Sequence, residues 1–173
     1  MSVDNKNTFS PNQTSPSEPV PPVGNAARQH LRAAMARHEE DDIEGALAEA
    51  RAALELAPEF ADARSYLGST LITKQGRYAE GLAELERARE SAMEDPALHY
   101  TLGWCYEFVA YRITQRLRRS AKGGSASGGG LEPAELYRKA EESLRRCLEL
   151  RPEAKLRDDA KDLLSTIIKE DVN

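Results

Sequence analysis

A pattern of small and apolar residues returns along this 173-residue chain at an offset of 35 positions. The pair Leu67-Gly68 is found again as Leu102-Gly103. Three further positions keep the same offset, with Ile43, Ala46 and Ala53 returning as Tyr78, Gly81 and Ala88. A period of this length is typical of solenoids built from helical hairpins, in which a single hairpin cannot bury its apolar face alone. We therefore expect several stacked copies of one hairpin.

A third copy of the second half of the unit lies beyond an insertion. Its matching positions are Tyr137, Ala140 and Cys147, which follow Tyr78, Gly81 and Ala88 by 59 positions, 24 more than the regular offset of 35. The first and third copies also end alike, with Leu-Glu-Leu-Ala-Pro at 54–58 and Leu-Glu-Leu-Arg-Pro at 148–152. These offsets predict repeats at about 26–59, 60–95 and 96–152, a Gly/Ser-rich insertion at 120–131 and a capping helix at 153–170.

The composition favours an all-α fold. Charged residues make up 31% of the chain and aromatic residues 6%, and no stretch alternates with the two-residue period of a strand. A chain of this length holds one domain of ordinary size, which a solenoid of three to four hairpins would use almost completely. We therefore predict one all-α domain at 25–170.

The repeated residues resemble the tetratricopeptide repeat family. The family has Leu-Gly in the first helix of each unit, Ala-Leu early in the second helix, a later Ala and a closing Pro. Those features are present here as Leu67-Gly68, Ala46-Leu47, Ala88 and Pro58. Four departures occur, namely Ala33-Ala34 for Leu-Gly in the first copy, Gly81 for Ala and one extra residue before Gly76 in the second, and Cys147 for Ala in the third.

The resemblance covers about residues 26–170 and implies a fold and a function. The implied fold is a right-handed α-α superhelix of three repeats followed by a C-terminal capping helix. The family binds proteins and peptides, so the implied function is a non-enzymatic adaptor or scaffold that receives a segment of a partner protein.

In this family the first helix of each pair lines a concave groove. Mapped onto this chain, the groove residues are Leu31, Met35, His38, Ser65, Ser69, Ile72, Tyr100, Trp104 and Phe108. Trp104 is the only tryptophan, and with Tyr100 and Phe108 it forms an aromatic row typical of interface anchors. The alternative is that these three rings pack against the terminal helix. The family's chaperone-tail clamp of Lys, Asn and Arg is not indicated, because its positions hold Leu31, Met35, Tyr66, Ala97 and Thr101.

The third repeat is predicted to contain a long helix, from Pro96 to about Arg119, that overhangs its neighbour by roughly 14 Å. Its far end carries a basic stripe of Arg112, Arg116, Arg118, Arg119 and Lys122. This stripe is either a solvated helix end, where arginines suit the helix dipole, or an electrostatic site for nucleic acid or an acidic partner. The net charge of −5 disfavours nucleic acid. A third possibility is self-assembly through the exposed helix end.

Residues 1–24 contain five of the nine prolines, and we predict that they are disordered. The spacing at 16–22 is that of a polyproline ligand, although the same composition suits a linker. There is no signal peptide pattern and no window of eighteen apolar residues, so we expect a cytoplasmic protein without a membrane segment.

The residue types needed for catalysis or metal binding do not occur in a recognisable pattern. The three histidines lack a His-Glu-x-x-His motif, and the two cysteines, Cys105 and Cys147, have no second ligand nearby. Both cysteines are predicted to be buried free thiols. The Gly-rich insertion lacks the Gly-Lys-Ser/Thr of a phosphate loop. We therefore expect no enzyme activity, no metal and no cofactor.

Overall fold

The computed structural model describes residues 23–120 and 130–170, with side chains as far as residue 168. This part of the chain consists of seven α-helices and contains no strand, so the predicted all-α class is confirmed for it. The helices are α1 (Asn25–Glu39), α2 (Ile43–Leu56), α3 (Ala61–Gln75), α4 (Tyr78–Ser91), α5 (Pro96–Ser120), α6 (Pro133–Glu149) and α7 (Ala154–Glu170). The predicted disordered tail, apart from its last two residues, and most of the predicted insertion lie outside the described residues.

Local chemistry places several helix ends where the sequence predicts them. The Asp95 carboxylate accepts a hydrogen bond of 2.9 Å from the Ala97 backbone N–H, and Pro96 opens α5. Gly76 ends α3 in the left-handed region at φ 65°, a conformation that glycine adopts at little cost. Asn25 has a side chain that often caps helices, but it does not cap α1. Gly24 is the N-cap of α1, without a side-chain hydrogen bond, and Asn25 is already helical.

The helices pack as three hairpins, α1–α2, α3–α4 and α5–α6, and each hairpin contacts the next. Helix α5 also contacts α3 and α7, the helices two places before and after it in the chain. This arrangement is consistent with a helical repeat, in which each unit covers the apolar face of its neighbour.

The same close contact occurs at equivalent positions of the second and third hairpins. A Cβ atom on Gly68 would lie 2.6 Å from the carbonyl oxygen of Gly81 and 2.9 Å from Leu85. A Cβ atom on Gly103 would lie 3.2 Å from the carbonyl oxygen of Ala140 and 2.6 Å from Leu144. Leu85 and Leu144 each stand four residues after the small residue of the second helix. The contacts therefore repeat in space across the insertion, as the offsets repeat in sequence.

The core is unevenly distributed along the stack. The largest cluster joins α4, α5 and α6 through residues such as Leu85, Leu102 and Leu144, and α7 completes it with Ala160 and Ile167. Two smaller clusters hold α1, α2 and α3 together, one around Leu47, Leu67 and Leu71 and the other around Ala27, Ala53 and Phe60. The last hairpin and the terminal helix thus share one continuous apolar interior.

Candidate functional site

Three alternate helices, α1, α3 and α5, line one surface depression of 270 Å³, which we call the odd-helix pocket. Its wall consists of Met35, Ala61, Asp62, Ser65, Tyr66, Ser69, Asp95, Ala97, Leu98 and Thr101. Most of these side chains are small or polar. Met35 is the exception, since 51% of this large apolar side chain is exposed. The structure thus brings together three residues predicted for the groove, Met35, Ser65 and Ser69.

A second depression, of 540 Å³, adjoins the first at the N-terminal end of the fold. Helix α1 contributes Leu31 and Met35 to it, and the α2–α3 turn contributes Glu59 and Phe60. Met35 lines both depressions, so Leu31 and Met35 lie on one surface with the odd-helix pocket. Phe60 forms the buried floor, at 7% exposure. Leu31 and Met35 therefore line a depression of mixed character, which charged side chains of α1 and of the α2–α3 region also line.

His38, predicted for the groove, is part of a hydrogen-bond chain that ties α1 to α3. Its Nδ1 atom lies 3.0 Å from the Tyr66 hydroxyl, and that hydroxyl donates to the Ala34 carbonyl oxygen at 3.1 Å. Burial raises the pKa of Tyr66 above its ordinary value, so the phenol stays protonated and remains a donor. His38 thus positions the wall of the pocket and does not line it.

Ile72 is not a surface residue, and its assignment to the groove is wrong. Only 1% of it is exposed, and it belongs to the largest apolar cluster. A Cβ atom on Gly81 would lie 2.5 Å from Ile72 Cγ1, which shows how closely Ile72 fits against α4. The missing side chain at Gly81 draws α4 towards α3, so the face that carries Ile72 is covered by the hairpin partner.

The aromatic row on α5 is half-buried. Tyr100, Trp104 and Phe108 all pack against the largest cluster, and none of them lines the odd-helix pocket. Trp104 and Phe108 stack with ring centroids 5.5 Å apart. The pKa of Tyr100 is raised by burial and by the nearby Asp159 carboxylate of α7. On α5 the pocket is lined instead by Ala97, Leu98 and Thr101, nearer the start of the helix.

The predicted basic stripe lies at the far end of α5. We call its described part, Arg112, Arg116, Arg118 and Arg119, the basic end of α5; Lys122 is outside the described residues. All four arginines are exposed, and within the described residues none forms an ion pair. The Arg112 guanidinium lies over the Phe108 ring, 5.9 Å from its centroid. The basic end is therefore joined to the Trp104–Phe108 stack.

A charged groove of 820 Å³ between α4 and α6 was not predicted. At its centre the hydroxyl of the buried Tyr106 donates to Glu86 Oε1, and Lys139 Nζ lies 5.5 Å from the Tyr106 ring centroid. Arg89 lies 2.7 Å from Glu86 Oε2, although that oxygen accepts no hydrogen bond. Burial and the Glu86 carboxylate both raise the pKa of Tyr106. The only sign of this groove in the sequence was Tyr106, which places a hydroxyl group on an otherwise apolar face of α5.

The two cysteines lie in the interior of the part of the chain that the structure describes. Cys105 and Cys147 are buried free thiols, as predicted, and burial raises the pKa of Cys105 to about 12. A thiol with that pKa stays protonated at neutral pH and is a poor nucleophile. No group of three or more His, Cys, Asp or Glu side chains among the described residues could hold a metal ion. In the same part of the chain, no helix has the length and apolar character needed to cross a membrane.

The chain was also compared with known proteins. No protein-family model matches it, and the search of curated proteins returned no match.

Proposed function

We propose that this protein is a non-enzymatic binding module of the tetratricopeptide type, which receives a segment of a partner protein in the odd-helix pocket. The observation that carries the proposal is that α1, α3 and α5 line this pocket together, although they come from three successive hairpins. Preformed helices supply a rigid wall, so most of the ordering cost of binding falls on the partner segment.

The chemistry of the pocket favours a short segment with one apolar side chain. Met35 offers exposed apolar area, and methionine adapts its shape to different partners. The Ser69 and Thr101 hydroxyls donate to the carbonyl oxygens of Tyr66 and Ala97, so their oxygens can accept from a partner's backbone N–H. Asp62 and Asp95 disfavour acidic residues at this position. An acidic chaperone tail is therefore a poor fit, in agreement with the clamp positions in the sequence.

A blocking substitution in the pocket tests the proposal. Site-specific photo-crosslinking from Thr101 in the native cell identifies the partner, and calorimetry with the purified partner segment then compares Ala97→Arg with wild type. Ala97 is exposed and lines the pocket, so its replacement by Arg should weaken binding at least tenfold without unfolding the protein. Ala83→Arg, at an exposed position of α4, is the matched control. Equal affinities of the two variants would contradict the proposal.

Trp104 was the predicted anchor of the groove. Because it packs against the core in the structure, its substitution must be tested for both stability and binding. Trp104→Ala removes a ring that is half-buried and stacked on Phe108. If the ring is an anchor, the substitution should cost at least about 2 kcal/mol in binding. We propose instead that it chiefly lowers the free energy of unfolding. Urea denaturation and calorimetry on the same variant separate the two effects, and an undiminished stability with lost binding would restore the anchor role.

A further inference from the structure

The last two turns of α5 have an electrostatic character opposite to that of the chain. The net charge of the chain is −5, yet Arg112, Arg116, Arg118 and Arg119 place four positive charges within eight residues. No Asp or Glu occurs on α5 after Glu107. Helix α5 has 25 residues and its hairpin partner α6 has 17, so α5 is longer by about 12 Å at 1.5 Å per residue.

The first of these arginines is held in place by its neighbours. Trp104 stacks on Phe108, and the Arg112 guanidinium lies over the Phe108 ring, so the three side chains form a ladder along one face of the helix. A guanidinium stacked on a ring loses part of its rotational freedom, while its N–H groups remain available at the edge. It can therefore bind a carboxylate through two parallel hydrogen bonds at a reduced entropic cost.

We propose that the basic end of α5 is a binding site for an acidic peptide segment, separate from the odd-helix pocket. Arg112 and Arg116 are one turn apart, about 6 Å along the helix. Alternate side chains of an extended peptide lie about 6.6 Å apart on one side of the strand. A segment with acidic residues at every second position thus matches Arg112 and Arg116, and Arg119, about 4.5 Å further along the same face, lies within reach of the next acidic side chain.

The observations favour a peptide over a nucleic acid. Phe108 already has Trp104 and Arg112 against its ring, so it is not free to stack a base in the way that single-strand binding proteins do. The sequence pI of about 5.4 also opposes a long polyanion, whereas nucleic-acid-binding domains are usually strongly basic. A short acidic segment would contact only the four arginines of the basic end and would not extend over the acidic remainder of the surface.

The test uses a fluorescein-labelled hexapeptide of alternating Glu and Ser, its Gln/Ser counterpart, and a labelled oligouridylate. Fluorescence anisotropy with the full chain measures binding of each probe at low salt. We expect the Glu/Ser peptide to bind, the Gln/Ser peptide not to bind, and the affinity to fall as salt rises, because exposed ion pairs are screened. The triple variant Arg112→Ser, Arg116→Ser, Arg119→Ser should bind about tenfold more weakly, since three exposed ion pairs are lost.

A matched control separates a site from bulk charge. The control triple variant replaces Arg28, Arg32 and Arg51 by Ser, which removes the same charge from exposed positions of α1 and α2. It should bind the Glu/Ser peptide within about twofold of wild type, since it keeps the basic end intact. The double variant Arg116→Ser, Arg119→Ser keeps the Arg112–Phe108 contact, and we expect an intermediate loss even if the triple variant fails to fold.

Three outcomes would overturn the proposal. The first is the absence of Glu/Ser peptide binding to the wild type at low salt. The second is an equal loss of affinity in the two triple variants, which would assign the binding to net charge alone. The third is tighter binding of the oligouridylate than of the peptide, with loss in the first triple variant, which would make the basic end a nucleic-acid surface.

Discussion

The contact between Gly68 and Gly81 sets the distance between α3 and α4. A methyl group on Gly68 would meet the Gly81 carbonyl oxygen at 2.6 Å, a separation at which the backbone itself must move. We predict that Gly68→Ala lowers the free energy of unfolding by about 1–3 kcal/mol, as overpacking of a close interface does. Urea denaturation followed by circular dichroism measures this change.

Gly24→Ala is the control for this substitution. Nothing lies within 4 Å of a Cβ atom on Gly24, although this residue also adjoins a helix. Its replacement should cost only about 0.5 kcal/mol, because Ala is a poorer N-cap than Gly but no packed interface is disturbed. If Gly68→Ala were equally mild, the helices would be less closely packed than the structure indicates.

The ion pair between α1 and α2 predicts a dependence of stability on pH. His30 Nδ1 lies 2.7 Å from Glu49 Oε2, and Arg37 Nε lies 3.4 Å from Glu49 Oε1. The hydrogen bond from His30, followed by the charges of His30 and Arg37, lowers the pKa of Glu49 in the folded state. A group whose folded pKa is depressed stabilises the fold above its unfolded pKa, and that contribution is lost as the pH falls through the folded value.

We therefore predict that stability decreases as the pH falls from about 5 to about 3, and that Glu49→Gln reduces this slope. Thermal denaturation across this range measures it. Glu55→Gln removes an exposed carboxylate from the same helix. The structure shows no ion pair of Glu55, so this substitution should leave the slope nearly unchanged. A slope that is the same in wild type and Glu49→Gln would mean that the pair does not contribute in solution.

At the scale of the elements, Leu67 joins the first hairpin to the second. It lies on α3 at 5% exposure, in one cluster with Ala34 of α1 and Leu47 of α2. We predict that Leu67→Ala costs about 2–4 kcal/mol, because it leaves a cavity between three helices. Leu56, at the end of α2, is 58% exposed, so Leu56→Ala should cost about 0.5 kcal/mol or less. Comparable losses in the two variants would show that the hairpins separate at this interface in solution.

At the scale of the whole molecule, the two ends of the chain should contribute very differently to stability. Helix α7 completes the largest cluster through Ala160 and Ile167, so deletion of residues 153–173 would expose the interior of the last hairpin. At the other end, Val23 packs against the cluster around Ala27 and Phe60. Val23, which belongs to the predicted tail, thus contacts the first hairpin.

We predict that deletion of residues 1–22 leaves the melting temperature within about 2 °C of the full chain, because this Pro-rich segment has no apolar periodicity with which to join a core. Deletion of 1–24 should lower it slightly, through the loss of Val23 and of the Gly24 carbonyl that accepts from Arg28. Deletion of 153–173 should abolish cooperative unfolding. Differential scanning calorimetry compares the three, and a large loss on removal of 1–22 would mean that this segment joins the core.

The parts of the fold that could be predicted from the sequence depend on local chemistry. Gly76 ends α3 because glycine accepts a positive φ, and Asp95 with Pro96 begins α5 because a carboxylate satisfies a free backbone N–H there. The offsets identified the small residues at the helix crossings, since a side chain at Gly68 or Gly103 would collide with the partner helix. Each of these effects acts within one hairpin, over a few residues of contact.

Only the tertiary structure decided which faces are covered. Ile72 and Ser69 lie on the same helix and were assigned to the same groove, yet Ile72 is buried against Gly81 while Ser69 lines the odd-helix pocket. The half-burial of Trp104 and the bond between Tyr106 and Glu86 likewise depend on neighbouring hairpins. A helical period shows which residues share a face but not what packs against it, because burial depends on crossing distances and on elements far away in the chain.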